Sequence, residues 1–286
     1  MIDRISTIRW HVKKSSRKII AYGTSPFMRL CRSIPGVKPS VRVLTYHRFG
    51  DRAYDPFCVS IPVFSMQMKW LAETGRAVTL EQVEAHASGN AAVPDGSVLV
   101  TIDDGFRSVY TDALPVLQKY RIPAVVFVAS GAIGKTEQGS EYSDQYLLPE
   151  DIRKISRDGI AIGSHSVSHG SMARLSPPDM EREARDSRRI LEKLAGKPVT
   201  SFAYPYGTRA DYNDDTARIL RNCGYTSVYT SQHGPVHAGM DPWELPRVKV
   251  EGGESLSMFK CICDGGMDAW RLVDRLLSGF QNVNRK

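Results

Sequence analysis

From Pro39 onwards the chain alternates short apolar runs with stretches of helical period, and few architectures accept that alternation. The runs 41–47 (VRVLTYH), 97–104, 122–129 (IPAVVFVA) and 160–163 read as strands, followed by SFAYPYG, YTSVYT and LPRVKV further on. Helical patterns lie between them: 64–74 stopped by Gly75, an acidic stretch from Glu81, 106–120, 149–158, 177–195 ended by Gly196, and 213–223. Pro115 should bend or restart the third of these. Strands alternating with helices of ten to twenty residues imply parallel pairing, because parallel neighbours are the ones that need so long a crossover. Seven or eight strands over roughly 210 residues predict an α/β fold, a distorted (β/α) barrel of seven or eight parallel strands somewhat smaller than the usual ~250 residues. A doubly wound open sheet is the alternative. A barrel places its active site at the C-terminal ends of its strands.

The charge is divided unevenly. The net charge is +7, but residues 1–40 hold nine Lys and Arg against Asp3 alone, so that segment carries +8 and the remainder −1. Three segments are therefore expected: a basic N-terminal extension (1–40), a catalytic domain (41–250), and a C-terminal helical segment (251–286) with a break near Gly265 and Gly266. In the extension, Ile2, Ile5, Ile8 and Val12 fall near helical spacing with cations between them. No apolar run there is long enough for a signal peptide core or a membrane span. The expectation is a cytoplasmic protein, and two readings of the extension stay open: a solvated tail, and a basic amphipathic helix on the inner membrane face. No nucleic-acid motif accompanies the charge, so nucleic acid is not expected as a partner. Five cysteines at irregular spacing, Cys31, Cys58, Cys223, Cys261 and Cys263, make no disulfide framework and read as packing residues. The oligomeric state is not legible.

Four motifs stand at strand ends. The apolar run VLVTI stops at Asp103, Asp104 and Gly105. Two carboxylates there are costly unless a cation or donors compensate them, and neighbours on a strand point to opposite sides, so each needs its own partner. His165 and His169, in S-H-S-V-S-H after the strand at 160–163, are four apart and close enough to share an ion. Two imidazoles and a carboxylate, here Asp104, make a standard set for a catalytic divalent metal with open positions. FAYPYG (202–207) offers a turn around Pro205 whose backbone N–H suits an oxyanion, with Tyr204 and Tyr206 to stack on a sugar. In LPRVKV, an inward Arg247 needs an acidic partner.

TIDDG, HSVSH, FAYPYG and LPRVKV, in that order, resemble the motifs of the polysaccharide deacetylase family, the NodB homology domain of carbohydrate esterase family four. The resemblance covers about residues 41–250, and LTYHRFG resembles the branch of exopolysaccharide and poly-N-acetylglucosamine deacetylases. It implies metal-dependent removal of N-acetyl groups from an acetamido sugar in a polysaccharide, oligosaccharide or lipid-linked glycan. It assigns Asp104, His165 and His169 to the metal, Asp103 to the catalytic base, and the Tyr206 backbone N–H to the oxyanion. Zinc is the first expectation, with cobalt, nickel or manganese open.

The sequence departs from the family pattern twice. Ala203 stands where an arginine usually precedes the Pro-Tyr pair, and Arg247 is read as its replacement. The late-motif histidine that serves as general acid is absent. His47 is the first substitute, His233 and His237 come next, and bound water or a protonated carboxylate follow. His11 and His86 lie outside every motif and read as surface residues. An O-acetyl esterase, another amide hydrolase and an inactive carbohydrate-binding protein remain as alternatives.

Overall fold

A computed structural model of the chain describes residues 4–32, 38–137 and 143–281. One sheet organises it: β1 (Ser40–Tyr46), β2 (Ser97–Ile102), β3 (Ala124–Val128), β4 (Ala161–Ser164), β5 (Ser201–Ala203) and β6 (Ser227–Tyr229) pair in parallel, in chain order. β7 (Val236–His237) runs antiparallel to the start of β1, and β8 (Val248–Lys249) runs parallel to its end. The strip carrying β8 also bridges Leu245 to Tyr229 of β6, so it approaches both edges of the sheet. The result is a curled half-barrel. One antiparallel strand enters where only parallel ones were expected, because the connection from β6 back to β1 is too short to carry a helix.

β1, β2 and β3 are buried along their whole length, which is why they read as unbroken apolar runs and not as alternating ones. Their two faces do different work. One packs under the surrounding helices, through Phe64, Met68 and Leu71 of α2 (Ile61–Thr74) and Met180 and Leu191 of α6 (Pro177–Ala195). The other face, with Val41, Val43, Leu99, Val125 and Phe127, fills the barrel and is closed at its base by Leu80 and Val83 of α3 (Leu80–Ala87). Two residues further along each row the side chains turn polar: Thr45, Thr101, then Asp103. The interior is thus apolar below and polar at the strand ends.

Local signals place the remaining helices. Gly75 ends α2 at φ 61°, a left-handed value that glycine adopts without strain. Pro115 sits in the first turn of α4 (Leu114–Tyr120), after a π-helical turn at Val109–Ala113, so the proline restarts the helix as expected. α5 (Pro149–Arg157) and α7 (Asp214–Asn222) complete the cover, and the C-terminal segment forms α8 (Leu256–Cys263) and α9 (Trp270–Gln281) with the break at Gly265 and Gly266. His86 is not on the surface: it lies buried on the inner side of α3 with no protein partner for either ring nitrogen. His11 is exposed.

The basic extension forms a long helix, α1 (Arg4–Arg32), docked on the strip that follows β8. Arg17 donates from Nε to Glu254 at 2.8 Å and from Nη2 to the Lys249 carbonyl at 2.8 Å. Lys14 and Lys13 reach Glu251 at 2.9 and 2.7 Å, and Thr24 donates to the Gly266 carbonyl at 2.7 Å. A Cβ at Gly266 would lie 2.6 Å from the Ala21 carbonyl oxygen, so only glycine admits the helix this closely. Among the described residues no helix is long and apolar enough to cross a membrane. Arg17→Met would leave buried Glu254 with only Lys14, at 3.6 Å, and should cost about 3–5 kcal/mol, read by urea denaturation. Burial opposes the charge of Glu251, yet Arg17 and the lysines hold its carboxyl well below the ordinary range. Its stabilisation should therefore be present above the unfolded value of ~4.3 and be lost as the pH falls below it. Comparing wild type with Glu251→Gln across that interval checks the sign.

Candidate active site

The strand ends deliver the site. β1 and β2 run level, with Tyr46 opposite Ile102, so His47 and Asp103 leave the sheet side by side, and the Asp103 amide donates to the Tyr46 carbonyl at 2.9 Å. The chain then turns sharply, with Asp104 at φ 71° and Gly105 at φ 81°. Asp103 thereby stays inside the barrel and Asp104 faces the loops. Among the described residues, four of the six non-glycine ones with positive φ lie at this rim, Asp104, Ser166, His169 and Tyr206. Backbone in that region costs on the order of 1–3 kcal/mol per residue and persists where surrounding structure enforces it.

The enforcement around the histidine loop is visible. Glu183 on α6 accepts the backbone N–H groups of Val167 and Ser168, both at 2.8 Å, and Ser187 donates to the Ser166 carbonyl at 3.0 Å. The Ser166 hydroxyl accepts the His169 amide at 2.9 Å. On the opposite side the Gly131 amide donates to the Val167 carbonyl at 2.9 Å, an approach that a Cβ at Gly131 would block. The sequence reading missed Glu183. It sits one turn beyond buried Met180 on a charged helix, where a clamp looks like any solvated acid.

Asp104, His165 and His169 come together as expected. Their ligand atoms lie within 4.8 Å of one another, and the two Nε2 atoms stand 3.5 and 3.1 Å from Asp104 Oδ1. His165 Nδ1 is 2.7 Å from the Ala203 carbonyl oxygen, which only accepts, so Nδ1 carries a proton and Nε2 is the nitrogen turned to Asp104. The donor set fits a divalent ion. Burial opposes the charge of Asp104, but the imidazoles outweigh it and hold its carboxyl well below the ordinary range. Burial likewise lowers His169, and its bond to Asp104 overrides this and raises it.

Asp103 has a different partner. Arg247 Nη1 and Nη2 donate to its two oxygens at 2.7 and 2.8 Å, while Nε holds the Thr230 carbonyl at 2.9 Å. Both side chains are buried. Burial would raise the Asp103 carboxyl, and the guanidinium more than compensates, leaving it below its usual value. The Arg247 guanidinium also lies 5.5 Å from the centre of the Phe127 ring.

One cavity of about 950 Å³ holds both carboxylates, both histidines, His47, Tyr206, Arg247 and, further out, residues of α1 and α9. The other expected residues divide. Tyr206 is 49% exposed at the cavity, its ring edge-on to His169 at 5.0 Å. Tyr204 is not: its ring is buried, stacked on Tyr212 at 4.8 Å, and packs the wall behind buried Pro205. His47 stands edge-on to Phe57, and burial pushes it down to about 4, so its ring is neutral near pH 7. His237 pairs with Ser40 at the start of β1, the far end of the barrel, and is no part of the site. His233 is buried with Nδ1 bonded to Asp274 of α9 at 2.9 Å, while Nε2 has no protein partner. Lys249 was also missed. It follows Arg247 by two residues, hence faces the same way. Its ammonium lies 3.3 Å from the centre of the Phe57 ring, and burial lowers it to about 7.

A curled α/β sheet with a carboxylate–diimidazole cluster at its strand ends is a barrel-type architecture whose rim carries a donor set that fits an ion. Residues 90–228 match the polysaccharide deacetylase family. The poly-beta-1,6-N-acetyl-D-glucosamine N-deacetylase of Staphylococcus epidermidis is 24% identical over 247 residues, 78% of this chain and 83% of that one. The structure of IcaB from Ammonifex degensii aligns at a TM-score of 0.66 and 29% identity, covering 80% of this chain and 97% of that one. The Streptococcus pyogenes deacetylase PplD in complex with acetate aligns at 0.69 and 24% identity, over 78% and 98%. The chain carries a polysaccharide deacetylase domain of the NodB homology type.

Gly163 precedes the histidine loop, and a Cβ there would lie 2.4 Å from the Phe127 ring that supports Arg247. Gly163→Ala should lower stability by about 1–3 kcal/mol through overpacking, read by thermal denaturation.

Proposed function

We propose that the protein is a metal-dependent hydrolase that removes N-acetyl groups from an acetamido sugar of a polysaccharide, oligosaccharide or lipid-linked glycan. The observation that carries this reading is one cavity holding two adjacent carboxylates with separate tasks: Asp104 with two imidazoles, Asp103 with a guanidinium. The Staphylococcus relative named as a poly-N-acetylglucosamine deacetylase supports the substrate class. A divalent ion, zinc first and cobalt, nickel or manganese after it, would be held by Asp104, His165 and His169 and would supply Lewis acidity to the amide carbonyl and acidify water.

The chain's own groups do the rest. Asp103, held ionised by Arg247, takes the proton of the water that adds to the acetamide carbon. The backbone N–H of Tyr206 stabilises the oxyanion, and its exposed ring packs on the sugar. The C–N bond then breaks, leaving acetate, and the departing nitrogen must gain a proton. His47 is the wrong donor for that, being neutral near pH 7. We assign the task to His233, whose Nδ1 is held by Asp274 at 2.9 Å and whose Nε2 has no protein partner at the cavity wall. His47 then serves as a hydrogen-bonding wall of the site.

Acetate release from N-acetylglucosamine oligomers should stop with chelator and return with added metal. Asp103→Asn should lower kcat by about 10²–10⁴-fold with metal content intact, whereas His165→Ala should lose the metal itself. His233→Gln should lower kcat far more than His47→Gln, with KM little changed. Equal effects of the two would remove His233 from the proposal, and release from O-acetylated substrates alone would favour the esterase reading.

A further inference from the structure

α1 is built inside out. The residues it turns to the barrel are Lys14, Arg17, Ala21 and Ser25, three to four apart and all buried. The residues it turns away are Val12, Ile19 and Leu30, seven and eleven apart, so on one line, exposed by 60%, 74% and 66%, with Phe27 and Tyr22 beside them. A helix that merely covers a soluble domain does the reverse, burying its apolar stripe and showing its charges to water. Here ion pairs to Glu251 and Glu254 hold the inner face, which releases the apolar residues for the outer one.

The charge of the helix selects what covers that face. α1 contains eight Lys and Arg and no acidic residue, and Lys18 and Lys13 are exposed at the borders of the apolar line. A bulky apolar stripe bordered by cations is the pattern of helices that lie in the interface of an anionic bilayer. We propose that α1 docks the protein on an anionic lipid surface, with Val12, Ile19 and Leu30 entering the headgroup layer. On α9, Leu272 and Leu276 are likewise exposed one turn apart, beside exposed Arg271.

The same two helices wall the outer cavity: Lys13 and Arg17 from α1, Trp270 and Asp274 from α9. A bilayer under α1 therefore lies beside the entrance to the site. A glycan held on that surface is presented to the rim without a free polymer having to thread in from solution. The docking itself is independent of the chemistry proposed above.

The test is co-sedimentation of the full chain with vesicles of phosphatidylcholine alone and of phosphatidylcholine with phosphatidylglycerol. Binding is expected only to the anionic vesicles and should weaken with added salt. The double variant Ile19→Glu, Leu30→Glu should lose at least about tenfold in binding, with an unchanged thermal midpoint. If that variant melts early, Ile19→Ser repeats the comparison with a milder change. Wild-type protein that ignores anionic vesicles, or variants that bind as wild type does, would overturn the proposal. So would a wild-type dimer that the variants split without any vesicle binding, since a second copy would then cover the face.

Discussion

Two ionised carboxylates sit next to each other at the end of a buried strand, and the rest of the molecule is arranged to make that tolerable. Each desolvated charge costs several kcal/mol unless compensated. The extended backbone separates the two by pointing Asp103 inward, and the left-handed turn at Asp104 carries the second away from the first. Arg247 arrives from the last strand of the half-barrel and the histidines from the loop after the fourth, so neither partner is local in sequence. The curl of the sheet brings them together. A flat sheet would leave β6, next to the Thr230 carbonyl that holds Arg247 Nε, at the opposite edge from β8.

Much of this was legible beforehand because it rests on short-range rules. Strand runs, helix stops and the spacing of His165 and His169 follow from periodicity and turn chemistry, and they placed Asp103, Asp104, Arg247 and both histidines at one rim. What escaped depended on packing. Tyr204 and Tyr206 are two apart in one turn, yet one ring is stacked on Tyr212 and the other is open, and no pattern in FAYPYG distinguishes them. His86 reads as a polar residue on a helix, but α3 closes the base of the barrel and takes it inside. His233 could be ranked only once α9 folded back to place Asp274 on its ring. Lys249, in contrast, was within reach: strand alternation from Arg247 already pointed it inward.

The strained backbone positions make the same point from the side of energy. Asp104, Ser166, His169 and Tyr206 each hold a left-handed conformation without being glycine; Asp104, His169 and Tyr206 line the cavity, and Ser166 holds the His169 amide. Glycine would relieve the strain and remove the functional group. The loops are instead tied down by Glu183 and Ser187, neither of which lines the cavity, and by the close approach of Gly131, which does. Stability drawn from these contacts holds the rim in a shape that the free loop would not adopt.

The basic helix and the catalytic carboxylate are joined through one short strip of chain. Arg247 holds Asp103, Val248 and Lys249 pair with β1, and the Lys249 carbonyl accepts from Arg17 of α1. Two residues later Glu251 takes Lys13 and Lys14. Any displacement of α1 therefore acts on the backbone next to Arg247, the residue that holds Asp103. A surface that fixes α1 would fix this strip as well, with β1 on its other side. The long helix that adds the charge to the sequence is in this sense the outer support of the active-site wall.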